Sequence, residues 1–218
     1  ASSSSVASSS GAASSSSRIS SSSGVAPSSS SISSSGSVSS SSNTTEWYVV
    51  SGEVSYNCSD FDFAGKDVNL VLMDGAKLTI QCNSNESSAE FGNLKVYAQS
   101  LGENMGQFEV SSLKTGVLSV YGGSISIEGS IEADYVTFAK GSVVVDGGII
   151  LNGDESSVYF SGATVKASSY PENSLLISSD LVYVDEQDNV YESVPNAEEI
   201  ALIAGQTLSP AKMVYFVD

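Results

Sequence analysis

From Trp47 onward the chain alternates apolar and polar residues in short runs, and turn-forming residues interrupt the runs every few positions. Alternation with period two sends successive side chains to opposite faces of a strand. Trp47 to Val50, Glu53 to Cys58, Val68 to Met73 and Lys77 to Cys82 are read as strands, with Asp74-Gly75 as a turn between the last two. The grammar then repeats. Leu118-Ser119-Val120-Tyr121-Gly122-Gly123-Ser124-Ile125-Ser126-Ile127 is a strand, a glycine corner and a second strand. Val136-Thr137-Phe138-Ala139-Lys140-Gly141-Ser142-Val143-Val144-Val145 has the same form 18 residues later, and Val158 to Ala167 has it again after a further 22.

Strand, corner, strand at a period of about 20 residues predicts a coiled stack of short strands, so the expected class is all-β, a parallel β-helix or solenoid. One rung cannot bury its apolar face alone, and stacked neighbours share a continuous core. Alternation points Leu118, Val120, Ile125 and Ile127 inward in one rung, and Val136, Phe138, Val143 and Val145 inward in the next. A β-sandwich is the alternative, since its strands recur at about 8–12 residues.

Before residue 43 this pattern is missing. Of the first 42 residues 27 are Ser, with scattered Ala, Gly, Val and Ile. Such a stretch cannot bury enough apolar area to offset its backbone entropy. Residues 1–45 are therefore expected to be a disordered serine-rich linker, with a mean reach of roughly 30–40 Å. Residues 46–218 are expected to form the solenoid domain, with a less regular segment from about Tyr170. Asn196 to Ala204 predicts one short helix with Asn196 as its N-cap, and Lys212 to Val217 returns to strand character. The chain begins with Ala rather than Met, so a mature form or a fragment is expected, with any signal peptide gone. No apolar run approaches the roughly 18 residues of a membrane helix, so no membrane insertion is expected.

Charge narrows the partners. The chain has 25 acidic residues, all from Glu46 onward, against 8 basic ones. Nucleic-acid binding needs clustered Lys and Arg, and this surface repels phosphate backbones. Anionic lipid headgroups are disfavoured in the same way. There is no His, which removes Ser-His-Asp and Cys-His catalysis and nearly all structural zinc sites. Paired carboxylates that hydrolyse glycosides are expected by chance among so many acids, and Arg is absent from the domain as a lyase base. The chain is accordingly expected not to be an enzyme. Cys58 and Cys82 are the two cysteines; a secreted context predicts a disulfide between them, and burial as two small apolar side chains is the alternative.

Tyr48-Val49-Val50-Ser51-Gly52-Glu53-Val54, the run from Gly65 to Leu78 containing Asp67-Val68-Asn69-Leu70 and Asp74-Gly75-Ala76, and Asn93-Leu94-Lys95-Val96-Tyr97-Ala98-Gln99 resemble a module of large bacterial surface and secreted proteins. In that module a strand pair leads into right-handed parallel β-helix rungs with double-glycine corners, to which Gly122-Gly123 and Gly147-Gly148 are similar. The resemblance covers about Glu46 to Ala167. It implies an adhesin-type, carbohydrate-binding and calcium-assisted module, secreted or at the cell surface, with polysaccharide or a surface glycan as partner. The chain departs from it in being less glycine-rich in the rungs and in its segment after Tyr170.

Two sets of residues are the candidates for such binding. Tyr97 and Tyr121 each follow an apolar-polar-apolar triplet, so stacked rungs place both rings outward on one face, where Tyr159 and Trp47 join them. Exposed aromatic rings stack on sugar rings, and the other role for these four is ordinary strand-end packing. Calcium takes clustered oxygen ligands. The candidates are Asp60 with Asp62 and Asp67, and Asn152 with Asp154 and Glu155. A third set, Asp185, Asp188 and Asn189, also suits a polar hairpin turn. Asn43, Asn57 and Asn85 begin Asn-x-Ser/Thr sequons, which a serine-rich chain produces by chance. The alternative to a binding module is a purely structural surface spacer; a glycosidase or lyase is a distant third.

Overall fold

The computed structural model describes residues 31–34, 45–60, 63–83, 88–193 and 195–211. It is a parallel β-solenoid of about 5 turns. Strand β1 (Ser31–Ser34) lies antiparallel on β2 (Thr45–Ser51). Below β2, one face of the coil continues as a parallel sheet through β4 (Asp67–Leu72), β7 (Asn93–Ala98), the second half of β9 (Leu113–Val120), the second half of β11 (Ile131–Phe138), β13 (Ser157–Phe160) and β15 (Leu175–Ile177). A second parallel face runs through β3 (Glu53–Asn57), β5 (Lys77–Gln81), β8 (Gln107–Val110), β10 (Ser124–Ile127), the first half of β12 (Ser142–Leu151) and β14 (Thr164–Ser169). A shorter third face joins β6 (Ala89–Glu90) to the first halves of β9 and β11 and the end of β12. In a sandwich the neighbours would be antiparallel. Here Leu118 lies beside Val136 and Val136 beside Val158, so the repeats at 18 and 22 residues are the turns of the coil.

The register makes columns. Leu70, Val96, Val120, Phe138 and Phe160 follow one another down the inside of the first face. Leu78, Phe108, Ile125, Val143 and Val165 do so on the second. All ten are buried, each worth roughly 1.5–3 kcal/mol against exposure. The glycine corners hold the columns in step. Gly141 has φ +93°, its carbonyl and that of Gly123 accept the next turn's amides from Thr164 and Ser142, and a Cβ on it would sit 2.4 Å from the Gly123 oxygen.

Both ends of the coil are covered. Ser31–Ser34 and Thr45 belong to the stretch expected to be linker, yet they are strand. The upper edge of β2 presents unpaired backbone groups, and any extended segment can satisfy them. At that end Tyr48 packs edge-on against Phe63 at 4.9 Å, and Phe63 stacks on Phe91. The Tyr48 hydroxyl donates to the Glu46 carboxylate, and burial followed by that bond pushes its pKa up. At the other end the segment after Tyr170 is a lid. It comprises β16 (Tyr183–Val184), β17 (Val190–Tyr191), α1 (Ala197–Ile203) and β18 (Thr207–Pro210), and β18 pairs antiparallel with β14. Asn196 caps α1 as its sequence predicts, accepting from the Glu198 and Glu199 amides, while the helix buries Ile200 and Ile203. Lys212 to Val217 lies outside the described residues.

Tyr183 shows how the lid replaces a missing turn. Its fully buried hydroxyl accepts from the Gly162 amide at 2.8 Å and donates to the Ala163 carbonyl at 3.0 Å, the counterpart of the Gly141 carbonyl that the next turn pairs one rung earlier. Burial pushes its pKa up to about 12, against those two bonds. Tyr183→Phe strands both backbone groups, and we expect it to lower unfolding free energy in urea by about 1–3 kcal/mol. Gly141→Ala forces a side chain into left-handed geometry against the corner above. The expected loss is about 2 kcal/mol or more by the same measurement, where an unchanged midpoint would contradict the corner's role.

Candidate functional site

The outward columns of the three faces differ in chemistry. The second face carries Glu53, Ser55, Lys77, Thr79, Gln107, Glu109, Ser124, Ser126, Ser142 and Lys166, and a 2.7 Å ion pair links Lys77 to Glu109. The third carries Glu90, Lys114, Glu132 and Ile150. Neither has an aromatic ring at these outward strand positions. The first face has four, Trp47, Tyr97, Tyr135 and Tyr159, and Tyr121 stands immediately beyond the end of β9.

Strand alternation fixes their placement. Trp47 shares a column with Asn69, Lys95, Ser119, Thr137 and Tyr159. Tyr97 sits beside Val71, and Tyr121 directly follows the end of β9, its amide bonded to the Val96 carbonyl at 2.8 Å. The Tyr97 and Tyr121 rings stack with centroids 5.1 Å apart and planes 15° apart. Trp47 stacks on the other side of Tyr97 at 5.7 Å and 24°, its indole crossing over β4 to get there. Trp47 is 45% exposed and Tyr121 40%, while Tyr97 is half-buried between them. Burial, with Tyr121 alongside, pushes the Tyr97 hydroxyl pKa up, so it stays protonated and a donor at neutral pH.

This arrangement refines the expectation. Both faces of Tyr97 are occupied, so only its edge and hydroxyl meet solvent. The free ring faces belong to Trp47 and Tyr121. Tyr159 is half-buried on the same outer surface and makes no ring contact with the stack among the described residues. Tyr135, 44% exposed on β11, completes the set. It was missed, although its place just before the inward Val136 is enough to turn it outward.

A groove of about 270 Å³ lies beside the stack, lined by Thr45, Asp67, Asn69, Asn93, Lys95, Val68 and Val117. Asn93 donates from Nδ2 to the Asp67 carboxylate at 2.8 Å. Lys95 is exposed and has no ion pair among the described residues. Asn69 is 4% exposed, and its side chain has no hydrogen-bond partner among the described residues. The sequence offers alternation as a signal for Asn69, since it stands between the inward Val68 and Leu70. Its burial under a residue from the neighbouring turn has no local signal.

No group of three acidic, His or Cys side chains able to hold a metal forms among the described residues. Asp67 opens β4 with its carboxylate on Asn93, and Asp60 ends the 3₁₀ turn Cys58–Asp60, where Asn57 donates to it at 3.1 Å. Asp62 lies outside the described residues, as do Asn43 and Asn85. Asn152, Asp154 and Glu155 are exposed in the loop between β12 and β13. Asp185 is buried and forms a turn: the Gln187 and Asn189 amides, the Asn189 side chain and the Tyr191 hydroxyl all donate to it. Burial raises its pKa, but these bonds outweigh that and hold it below the ordinary carboxylate value.

In comparisons with known proteins, no family model, no curated protein and no solved structure matches the chain. The class is therefore defined by the fold alone, a parallel β-solenoid.

Cys58 and Cys82 are joined, with Cα atoms 4.9 Å apart. They follow the registered pair Asn57 and Gln81, so the bond ties the second face of the first turn to the turn below. It closes a loop with a sequence separation of 24. Reduction, or a Cys58→Ser/Cys82→Ser variant, is expected to remove about 3 kcal/mol of unfolding free energy. Unchanged unfolding with and without reductant would contradict that role.

Proposed function

We propose that this chain is a secreted or cell-surface, non-catalytic module that binds polysaccharide along the outer surface of its first face. In this reading the serine-rich segment is a tether, and the resemblance to adhesin-type β-helical modules carries the location. One observation supports the binding role above others: four outward strand positions of the first face carry aromatic rings, with Tyr121 just beyond β9, and the outward strand positions of the other two faces have none. Strand propensity alone would scatter them, because aromatic residues suit any half-buried pleated surface. Rings flanked by amides, hydroxyls and a lysine offer an apolar surface for sugar C–H groups beside donors and acceptors for sugar hydroxyls. Calcium has no part in the proposal.

The spacer reading keeps one specific support. The stack of Trp47, Tyr97 and Tyr121 satisfies itself, as a purely structural ladder does. Binding separates the two. The full chain is passed through gels and over insoluble matrices of cellulose, xylan, mannan and polygalacturonate, with calcium and with chelator. Retention on a neutral polysaccharide, indifferent to chelator, is expected. Trp47→Ala/Tyr121→Ala removes two free ring faces at about 0.5–1.5 kcal/mol each, so retention weakens roughly tenfold or more with the fold intact by circular dichroism. No retention on any matrix, or equal retention by the variant, would favour the spacer.

A further inference from the structure

An amide with no partner inside the protein has its donors and acceptor available to a ligand. Asn69 is 4% exposed on the outer side of β4, has no hydrogen-bond partner among the described residues, and helps line the groove beside the aromatic stack. Lys95 stands next to it in the same column, one strand down, with no ion pair to its ammonium among the described residues. Asp67 and Asn93, in the adjacent column, are tied to each other and still present acceptor oxygens. Within one small depression there are thus a group that both donates and accepts, a cationic donor and two acceptors. Adjacent hydroxyls on a ring both donate and accept, and that set is their complement.

The charge sets the kind of ring. Asp67 and Lys95 cancel within the groove, while the chain as a whole has 25 acidic residues against 8 basic and repels polyanions. The size sets how much of it enters. At about 270 Å³ the groove falls just under the roughly 300–1,000 Å³ of sites for drug-sized ligands, which suits one sugar ring rather than an oligomer.

We propose that the groove around Asn69 is a specificity subsite for one neutral pyranose unit, whose vicinal hydroxyls bond to the Asn69 amide and the Lys95 ammonium beside the Trp47 ring. This inference rests on the polysaccharide reading above and names the part of the surface that selects the sugar.

The full chain and its Asn69→Leu, Lys95→Ala and Trp47→Ala variants are titrated calorimetrically with cellohexaose, xylohexaose, mannohexaose and a galacturonate hexamer, and unfolded in urea. Asn69→Leu has nearly the shape of Asn without its amide. It is expected to leave the urea midpoint unchanged or higher, and to weaken the best neutral ligand at least tenfold. Lys95→Ala is expected to weaken the same ligand several-fold, and the galacturonate to bind at least tenfold more weakly than it. A lower urea midpoint for Asn69→Leu would make the amide structural and overturn the proposal. Retained affinity in Asn69→Leu with loss in Trp47→Ala would overturn the subsite and leave the aromatic face standing. Tighter binding of galacturonate would overturn the neutral class. No binding of any hexamer by the native chain, with no polysaccharide retained either, would overturn the polysaccharide reading and this inference with it.

Discussion

Everything in this molecule depends on the parallel backbone ladder that runs along the coil axis. Each turn's amides and carbonyls pair with the turns above and below, which fixes the rise near the roughly 4.8 Å spacing of paired strands. A residue is therefore locked over its counterpart in the previous turn, and its surroundings are mostly set by that counterpart. Inside, the consequence is a core built of columns, such as Phe138 over Phe160 with ring centroids 5.8 Å apart. At the corners, carbonyls pass 2.4–3.3 Å from where Cβ atoms would stand, which leaves room for glycine at Gly123 and Gly141. Outside, side chains stack at the same spacing: Tyr97 on Tyr121, Asn93 on Asp67.

A ladder of this kind has two open ends, and each would recruit further strands if left bare. The two solutions here are different. At the start, backbone meets backbone through β1, and the apolar interior is closed by Phe63 under Tyr48. At the finish, polarity and bulk are divided among several groups. Tyr183 bonds the last corner's Gly162 amide and Ala163 carbonyl, Ile200 and Ile203 of α1 cover the interior, and β18 turns the parallel second face into an antiparallel edge. An antiparallel final strand breaks the repeat, so a further parallel turn has no matching template.

The repetitive centre was legible because the ladder forces the sequence to repeat. The offsets of 18 and 22, the glycine corners and the outward positions of Tyr97 and Tyr121 all follow from alternation plus stacking. Asn196 as a helix cap was legible for a local reason, the reciprocal bonds with Glu199. What was not legible depends on contacts between turns whose connecting loops vary in length. The third face is made from parts of β9, β11 and β12, and no short run announces the bends at Gly116 or between Val145 and Gly148. Asp60 and Asp67 are near in sequence, but the coil carries them onto different faces, Asp60 at the end of the second and Asp67 at the start of β4 on the first. Asn69 was hidden for the opposite reason, because its burial depends on Trp47, 22 residues earlier in the chain and adjacent in space.

The same stacking that creates the aromatic face also limits how it can bind. Rings ordered by the ladder stack on one another, so an inner ring such as Tyr97 has no free face left. A ligand must therefore use the ends of the stack, the ring edges and whatever polar groups lie alongside. Hydrogen bonds to those groups discriminate far better than the rings, because a site built around a particular hydroxyl is left with unpaired buried groups when that hydroxyl is missing. Under the proposed reading, the aromatic residues would supply contact area that many sugars share and selectivity would fall to the polar groove. The ladder places that groove beside the rings by keeping Trp47, Asn69 and Lys95 in one column.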